Sequence, residues 1–142
     1  MLEIRRLVAD DIEQILLEKK NCMLQGHITR EHMEYQEKGE YSFTGISDGK
    51  VLFVGGVSNY WKGRAEVWAI LADHSGPKML AITRAAKLLL SYCPIRRLEL
   101  SVDCSFEPGH RWAEMLGFKM EAERMQKYLL DGKDATLYAR VN

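Results

Sequence analysis

Residues 98–141 contain the pattern that decides the fold of this chain. They begin with Leu98-Glu99-Leu100-Ser101-Val102, a β-rich run that predicts a strand. A short helix is predicted over residues 109–116, and it should end in the sequence Glu114-Met115-Leu116-Gly117-Phe118, where the glycine is suited to a helix C-terminus. A strand followed by a short helix is therefore expected in the last third of the chain.

Two Asp-Gly pairs predict β-hairpins. Asp131-Gly132 joins extended runs over residues 118–130 and 135–141, and Asp48-Gly49 separates two apolar runs further upstream. Asp-Gly between such runs is a strong hairpin signal, because both residues readily adopt the left-handed conformation of a tight turn.

The upstream elements have their own boundary signals. Asp10 is predicted to be the N-cap of a helix over residues 11–21, and Thr29 the cap of a second, short helix. The almost wholly apolar run 65–71 predicts a strand at the centre of a sheet. A long helix over residues 79–93 should end before Pro94.

These elements give the order β-α-α-β-β-β-α-β-α-β-β, which predicts an α+β fold built around one mixed sheet. The length of 142 residues suits a single domain, over residues 1–142.

Composition narrows the functional classes. Twenty basic residues balance twenty acidic ones, so charge predicts neither a nucleic-acid partner nor an anionic membrane. Three cysteines without a CxxC spacing are expected to be reduced thiols, and Cys22, His27 and His32 fit no zinc pattern, so no metal is expected. With no apolar run near ~20 residues and no signal-peptide core, we expect a cytoplasmic protein.

The order and spacing of several short motifs resemble the GNAT (GCN5-related N-acetyltransferase) superfamily over nearly the whole chain. The motifs are Glu3-Ile4-Arg5-Arg6 followed by Asp10-Asp11-Ile12, the Asp48-Gly49 turn with Val54-Gly55-Gly56, Glu66-Val67-Trp68-Ala69-Ile70-Leu71, and the closing Gly117-Phe118 with Asp131-Gly132. The compact length and the tryptophan content also resemble short GNAT-like proteins carried by bacteriophages, for which the host cytoplasm would be the location. The resemblance implies a mostly antiparallel, twisted sheet flanked by helices.

The same resemblance implies an acetyl-CoA-dependent N-acetyltransferase in which an amine attacks the thioester directly in a ternary complex. Acetyl-CoA would be the cosubstrate, bound by the fourth strand and by the turn that enters the following helix. The residues implied at that site are Ile70, Leu71, Ala72, Gly76, Pro77, Lys78, Met79 and Ala81. The amine, on a small molecule or a protein, would enter over residues 24–40, and edge strands of the fold would allow a homodimer.

Two residues are implied in catalysis. Glu66 lies where members of the family often keep a general base; the alternative is an edge or surface carboxylate paired with Arg64. His110 is the candidate acid for the departing thiolate; the alternative is a partly exposed helix residue with no such role.

The chain also departs from the family pattern. The phosphate loop Q/R-x-x-G-x-G/A is matched only at Ala81 when its first position is placed at Gly76. Phe106 and Ala113 stand where many members have Asn and Tyr. These departures keep a second hypothesis open, a GNAT-fold binding module with weak or no activity, for example a phage protein that acts on a host or virion-assembly partner.

Overall fold

The computed structural model of the protein describes residues 1–20 and 22–142, and it confirms the predicted order of elements. The strands are β1 (Glu3–Arg6), β2 (Phe43–Ser47), β3 (Lys50–Trp61), β4 (Arg64–Leu71), β5 (Arg97–Asp103), β6 (Lys119–Met125) and β7 (Ala135–Val141). The helices are α1 (Ala9–Glu18), α2 (Arg30–Glu37), α3 (Met79–Ser91) and α4 (Glu107–Met115), and a 3-10 turn, Gly76–Lys78, leads into α3. No helix among these residues is both long and apolar enough to cross a membrane.

All seven strands form one sheet in the order β1-β2-β3-β4-β5-β7-β6. Every neighbouring pair is antiparallel except β4 and β5, which run parallel. The register of that parallel pair covers only Arg64–Arg97, Ala65–Leu98 and Glu66–Glu99. Since both strands continue for several residues beyond Glu66 and Glu99, they separate and leave a gap in the middle of the sheet.

Helices cover both faces of the sheet. Side chains alternate between the two faces along a strand, so each central strand contributes to both cores. On β4, Ile70 packs with α1 and α2, whereas Ala65 and Val67 pack with α3 and α4. The first face buries Leu7, Ile12, Ile15, Leu16, Met33 and Val54, and the second buries Val57, Leu90, Leu98, Leu116, Phe118 and Tyr138.

The end of α4 follows from the Leu-Gly-Phe sequence. Gly117 has a φ of 91°, a left-handed conformation that costs glycine little. Its N–H donates to the Glu114 carbonyl, and the N–H of the buried Phe118 donates to the Ala113 carbonyl. This pair of bonds is the Schellman motif that ends many helices.

The start of α1 differs from the prediction. The helix begins at Ala9 with Val8 as its N-cap, so the prediction of Asp10 as N-cap is wrong. The carboxylate of Asp11 instead accepts a hydrogen bond from the Val8 N–H at 3.1 Å. The helix ends at Glu18, and the predicted end at Asn21 lies outside the described residues.

The loop that connects the last two strands is also longer than predicted. β6 ends at Met125 and β7 begins at Ala135, so the connection spans residues 126–134 instead of the turn at Asp131-Gly132 alone. The upstream hairpin is tight as predicted: Asp48 and Gly49, with φ of 53° and 74°, join β2 directly to β3.

Candidate active site

The gap between β4 and β5 opens into a cavity of about 610 Å³. Its wall is mostly apolar and includes Val67 and Trp68 from β4, Leu100 and Val102 from β5, and Ala113 from α4. Ligand sites are commonly concave and apolar with a few polar groups, so this cavity is the candidate site of the protein.

The peptide groups of β4 that face the gap can be assigned from the strand register. The Ala72 N–H donates to the Leu52 carbonyl at 2.8 Å, in continuous register with the pairs of β3 and β4. Because peptide groups point alternately to the two sides of a strand, Ile70 is bonded toward β3, whereas Ala69 and Leu71 face the gap. Of the two residues predicted as backbone partners, Leu71 faces the gap and Ile70 does not, and Ala69 also faces it.

Lys19, the C-cap residue of α1, lies at the end of β4 and occupies part of its free edge. Lys19 Nζ donates to the Leu71 carbonyl at 2.5 Å and to Asp73 Oδ1 at 3.1 Å. Hydrogen bonds from the Lys20 N–H and from Lys19 lower the pKa of Asp73. The ammonium thus neutralises a carboxylate close to the turn that was predicted to meet the donor phosphates.

That turn is built as a compact 3-10 segment. The N–H of Lys78 donates to the Ser75 carbonyl, the N–H of Met79 donates to the Gly76 carbonyl, and Pro77 has no N–H. Ile70 and Leu71 belong to the cavity wall, but the remaining predicted donor-binding residues do not: Ala72, Gly76, Pro77, Lys78, Met79 and Ala81.

Glu66 belongs to the cavity wall. Its carboxylate accepts a hydrogen bond from the Tyr60 hydroxyl at 3.2 Å. The alternative of an ion pair with Arg64 is wrong, because Arg64 donates two hydrogen bonds to Glu99, at 2.7 and 2.9 Å. Glu66 is therefore a partly buried carboxylate in the cavity without a cationic partner among the described residues.

Two tyrosines that sequence reasoning missed stand near Glu66. Burial and the nearby Glu66 charge raise the pKa of Tyr60 to about 12, and the same two causes raise the pKa of Tyr128. Both phenols are therefore protonated at neutral pH. Tyr128 lies in the loop over residues 126–134, whose Leu129 also lines the cavity. The tight turn at Gly63, which fixes the β3–β4 register, is the signal that could have placed Tyr60 beside Glu66.

Trp68 is a second feature that the sequence did not reveal. Trp68 belongs to the cavity wall and lies on the same strand as Glu66. Its indole Nε1–H is buried and has no hydrogen-bond partner within residues 1–20 and 22–142. Most buried donors in proteins are paired, so this group stands out.

His110 does not belong to the cavity wall. Its Nε2 lies 3.0 Å from the Cys104 carbonyl, and its Nδ1 lies 2.8 Å from the hydroxyl of the buried Tyr138. A carbonyl only accepts, so Nε2 carries a proton and Nδ1 accepts from Tyr138 in the neutral ring. The two nitrogens tie α4 to the turn that follows β5 and to β7, and His110 is not part of the cavity wall.

The two positions that depart from the family pattern do line the cavity. Phe106 and Ala113 both belong to its wall. The α4 helix lies close to β5 there, as shown by Gly109, where an added Cβ would be only 2.7 Å from the Val102 side chain.

Among the described residues, no group of three His, Cys, Asp or Glu side chains is arranged to hold a metal ion.

Several solved structures of acetyltransferases have an architecture similar to that of this chain. Ard1 from Thermoplasma volcanium matches 99% of this chain over 97% of its own, with a TM-score of 0.79 and 18% identity. The ribosomal-protein-S18-alanine N-acetyltransferase from Escherichia coli matches 99% of the chain over 94% of its own, with a TM-score of 0.74 and 17% identity. An acetyltransferase of the GNAT family from Streptococcus pneumoniae matches 99% of each chain, with a TM-score of 0.70 and 19% identity.

Comparison by sequence, unlike comparison by structure, identifies no relative of the chain. No protein-family model matches the chain, and no curated protein matches it significantly. The structural matches cover 99% of the chain, which includes β4 and β5. The chain therefore has the fold of the GNAT superfamily of acetyltransferases.

Proposed function

We propose that the protein is an N-acetyltransferase that uses acetyl-CoA and transfers the acetyl group to an amine. One observation carries this proposal: the gap between β4 and β5 brings the Ala69 peptide group and the Leu71 N–H, which face away from β3, into the same cavity as Glu66. A donor that binds along the edge would place its thioester close to a base.

The gap suits the pantetheine arm of the donor. That arm is an extended chain with two amides, and the Ala69 and Leu71 peptide groups offer it hydrogen bonds of the kind that pair strands. The apolar walls from Leu100 and Val102 would exclude water from the thioester. We place the diphosphate at the turn before α3, where Lys78 supplies positive charge. Because the Lys78 and Met79 N–H groups already donate within the turn, the attraction between the Lys78 ammonium and the diphosphate would provide most of the binding there.

The reaction would proceed in one ternary complex. The amine nitrogen attacks the thioester carbonyl carbon, the C–N bond forms, and the C–S bond breaks to release the CoA thiolate. Glu66 takes the proton that the nitrogen loses. A β4 peptide N–H that faces the gap, such as that of Ala69, would stabilise the oxyanion.

No acid of the protein is needed for the leaving group in this scheme. A thiolate with a pKa of about 8.5 is protonated by water without assistance. The bonded ring of His110 would have to break a contact to Cys104 or Tyr138 before it could serve. We therefore assign proton removal to Glu66 and no catalytic step to His110.

The proposal predicts separate effects on binding and turnover for Glu66→Gln. Calorimetry should give a dissociation constant for acetyl-CoA within twofold of the unchanged protein, because the donor contacts β4 peptide groups and not the carboxylate. Turnover with a primary amine should fall about 100-fold, the usual scale for removal of a general base. Glu114→Gln, an exposed change on α4, is the matched control and should alter neither.

Two results would contradict the proposal. Absence of acetyl-CoA binding at millimolar concentration would exclude the donor, and the compact 3-10 turn without free N–H groups at Lys78 and Met79 would then favour a binding module. Equal turnover in Glu66→Gln and Glu114→Gln would exclude Glu66 as the base.

A further inference from the structure

We propose that Tyr60 is a positioning residue for Glu66: its hydroxyl holds one oxygen of the carboxylate, and a β-bulge together with Arg64 holds Tyr60 itself. The other carboxylate oxygen is then left to take the proton of the acceptor amine. The inference rests on the proposed function, since it concerns the base of that reaction.

The first step is a β-bulge at the end of β3. Asn59 pairs with Ala65 and Trp61 pairs with Arg64, so β3 has one residue more than β4 between these two pairs. The extra residue is Tyr60. In a bulge, two successive residues face one residue of the partner strand, and a side chain is turned away from the direction that regular alternation would give it.

The second step is the position of Arg64 beside the bulge. Its guanidinium carbon lies 4.3 Å from the centre of the Tyr60 ring and 4.8 Å from the centre of the Trp61 ring. Successive side chains of a regular strand point to opposite faces, so contact of both rings with one guanidinium is a consequence of the bulge. Arg64 also donates two hydrogen bonds to Glu99, at 2.7 and 2.9 Å. Tyr60 therefore packs against a side chain that is itself fixed.

The third step is the hydrogen bond between Tyr60 and Glu66. The phenol O–H donates to Glu66 Oε2 at 3.2 Å, since a carboxylate only accepts. Burial and the Glu66 charge raise the pKa of Tyr60 to about 12, so the phenol keeps its proton at neutral pH. Glu66 Oε1 accepts no hydrogen bond from the residues that the structure describes. One oxygen is thus held, and the other is unoccupied.

The fourth step is that the other polar neighbours of Glu66 are bonded elsewhere. Ser58, its partner on β3, donates to Gln36 Oε1 at 2.9 Å. Glu99, its partner on β5, is bonded to two arginines. Three further polar residues of the cavity wall make no hydrogen bond to Glu66 within the described part of the chain: Lys19, Ser101 and Asp103. Tyr60 is therefore the group that can fix the carboxylate.

The chemical consequence concerns proton removal and not donor binding. A glutamate side chain has several rotatable bonds, and a base removes a proton efficiently only within hydrogen-bond reach of the amine. The bond from Tyr60 restricts the carboxylate to one orientation before the amine arrives, and supporting hydrogen bonds of this kind set the precision of a site. Tyr60 acts through Glu66 and takes no proton itself.

The test is Tyr60→Phe in the full-length protein, because phenylalanine keeps the ring beside Arg64 and removes only the hydroxyl. With acetyl-CoA and a primary amine, kcat should fall about tenfold, as for the loss of one hydrogen bond. The KM for the amine and the dissociation constant for acetyl-CoA should stay within twofold, because binding of the reactants does not use the hydroxyl. Tyr92→Phe, at an exposed tyrosine just after α3, is the matched control and should change neither. Thermal melting checks that each variant is folded.

A double-mutant cycle distinguishes positioning of the base from a general change in the site. In the Glu66→Gln background there is no base to position, so Tyr60→Phe should lower the remaining kcat by less than a further twofold. An equal fall in both backgrounds would mean that the hydroxyl acts independently of Glu66, and that result would overturn the inference.

A second measurement does not depend on turnover. The six tyrosines give separate ¹³C signals for the ring carbon that bears the hydroxyl, and Tyr60→Phe identifies one of them. Glu66→Gln replaces a charged acceptor by a neutral one, so the Tyr60 signal should move and the Tyr92 signal should not. An unmoved Tyr60 signal would show that the hydrogen bond is absent in solution and would also overturn the inference.

The outcomes separate this inference from the proposed function. If acetyl-CoA binds and Glu66→Gln loses turnover, but Tyr60→Phe keeps its kcat within twofold, the inference is overturned and the proposed function stands. If acetyl-CoA does not bind, or if Glu66→Gln keeps full turnover, the proposed function fails, and the inference fails with it whatever the Tyr60 signal shows.

Discussion

Glu66 and Glu99 are direct neighbours across β4 and β5, yet their surroundings divide them into two roles. The hydrogen bond from Arg64, joined by one from Arg97, lowers the pKa of Glu99 to about 2. Arg64 is itself fixed, because its guanidinium lies 4.3 Å from the centre of the Tyr60 ring. Glu66 accepts only the Tyr60 hydroxyl bond among the contacts described. Glu99 is thus held in the sheet by two arginines, whereas Glu66 has no ion pair among the described residues.

Glu99 should make the protein sensitive to acid. Its pKa in the folded state is below that of the unfolded chain, so its contribution is complete above about pH 5 and is lost as the pH falls toward 2. Glu99→Gln should lower the free energy of unfolding by about 3 kcal/mol at pH 7, because two arginines lose their partner. At pH 3 the difference should shrink to about 1 kcal/mol. Urea unfolding at both pH values measures it.

The control for this effect is Glu121→Gln. Glu121 also pairs with Arg97, but its side chain is 40% exposed, so solvent screens the pair. A loss under about 1 kcal/mol is expected at pH 7. An equal loss in the two variants, or a Glu99→Gln difference that does not change with pH, would show that the arginine pair does not set the behaviour of Glu99.

At the scale of elements, the junction between α4 and β6 depends on one glycine. Gly117→Ala should lower the free energy of unfolding by about 1 kcal/mol, because alanine disfavours the left-handed conformation at φ 91°. Gly76→Ala is the control: it has no positive φ and no atom within 4 Å of an added Cβ. Urea midpoints of the two variants should differ in that direction, and a Gly117→Ala midpoint equal to that of Gly76→Ala would contradict the role of this turn.

Turns of this kind were predictable because their determinants are local. Thr29 caps α2 by accepting the His32 N–H, and Asp48 with Gly49 forms the tight turn that its dipeptide predicts. The start of α1 was not predictable in the same way. Asp10 and Asp11 look alike in sequence, but only Asp11 bonds to Arg5 and to Thr44, which come from β1 and β2. Contacts with residues distant in sequence therefore determine that Asp11, and not Asp10, is buried.

The same reason limits what the sequence could say about the site. Glu66 and Leu71 were predicted from a resemblance along one strand, and the structure brings both to the cavity wall. Tyr128 reaches the surroundings of Glu66 only because the connection from β6 to β7 is long. No pattern in the sequence indicates that the Trp68 N–H is buried without a partner among the described residues. Such features arise from tertiary packing and have no local pattern.

At the scale of the whole molecule, the sheet consists of two parts joined by a short seam. β1 to β4 form one part and β5, β7 and β6 the other, and among the described residues the strand pairing between the two parts covers three residue pairs, from Arg64–Arg97 to Glu66–Glu99. The cavity lies beyond the seam, where the two parts diverge. A donor that pairs with β4 would act as an added strand segment between the two parts.

Amide hydrogen exchange should reveal that pairing. In the free protein the Ala69 and Leu71 amides face the gap and should exchange faster than the Ile70 amide, which is directed at β3. Saturating acetyl-CoA should slow Ala69 and Leu71 at least tenfold, because their N–H groups gain partners. Amides of β5 that pair with β7, such as those between Ser101 and Leu137, should change little. Slowing spread evenly over both strands would indicate general stabilisation by ligand, whereas slowing confined to Ala69 and Leu71 would identify the donor as the partner of this edge.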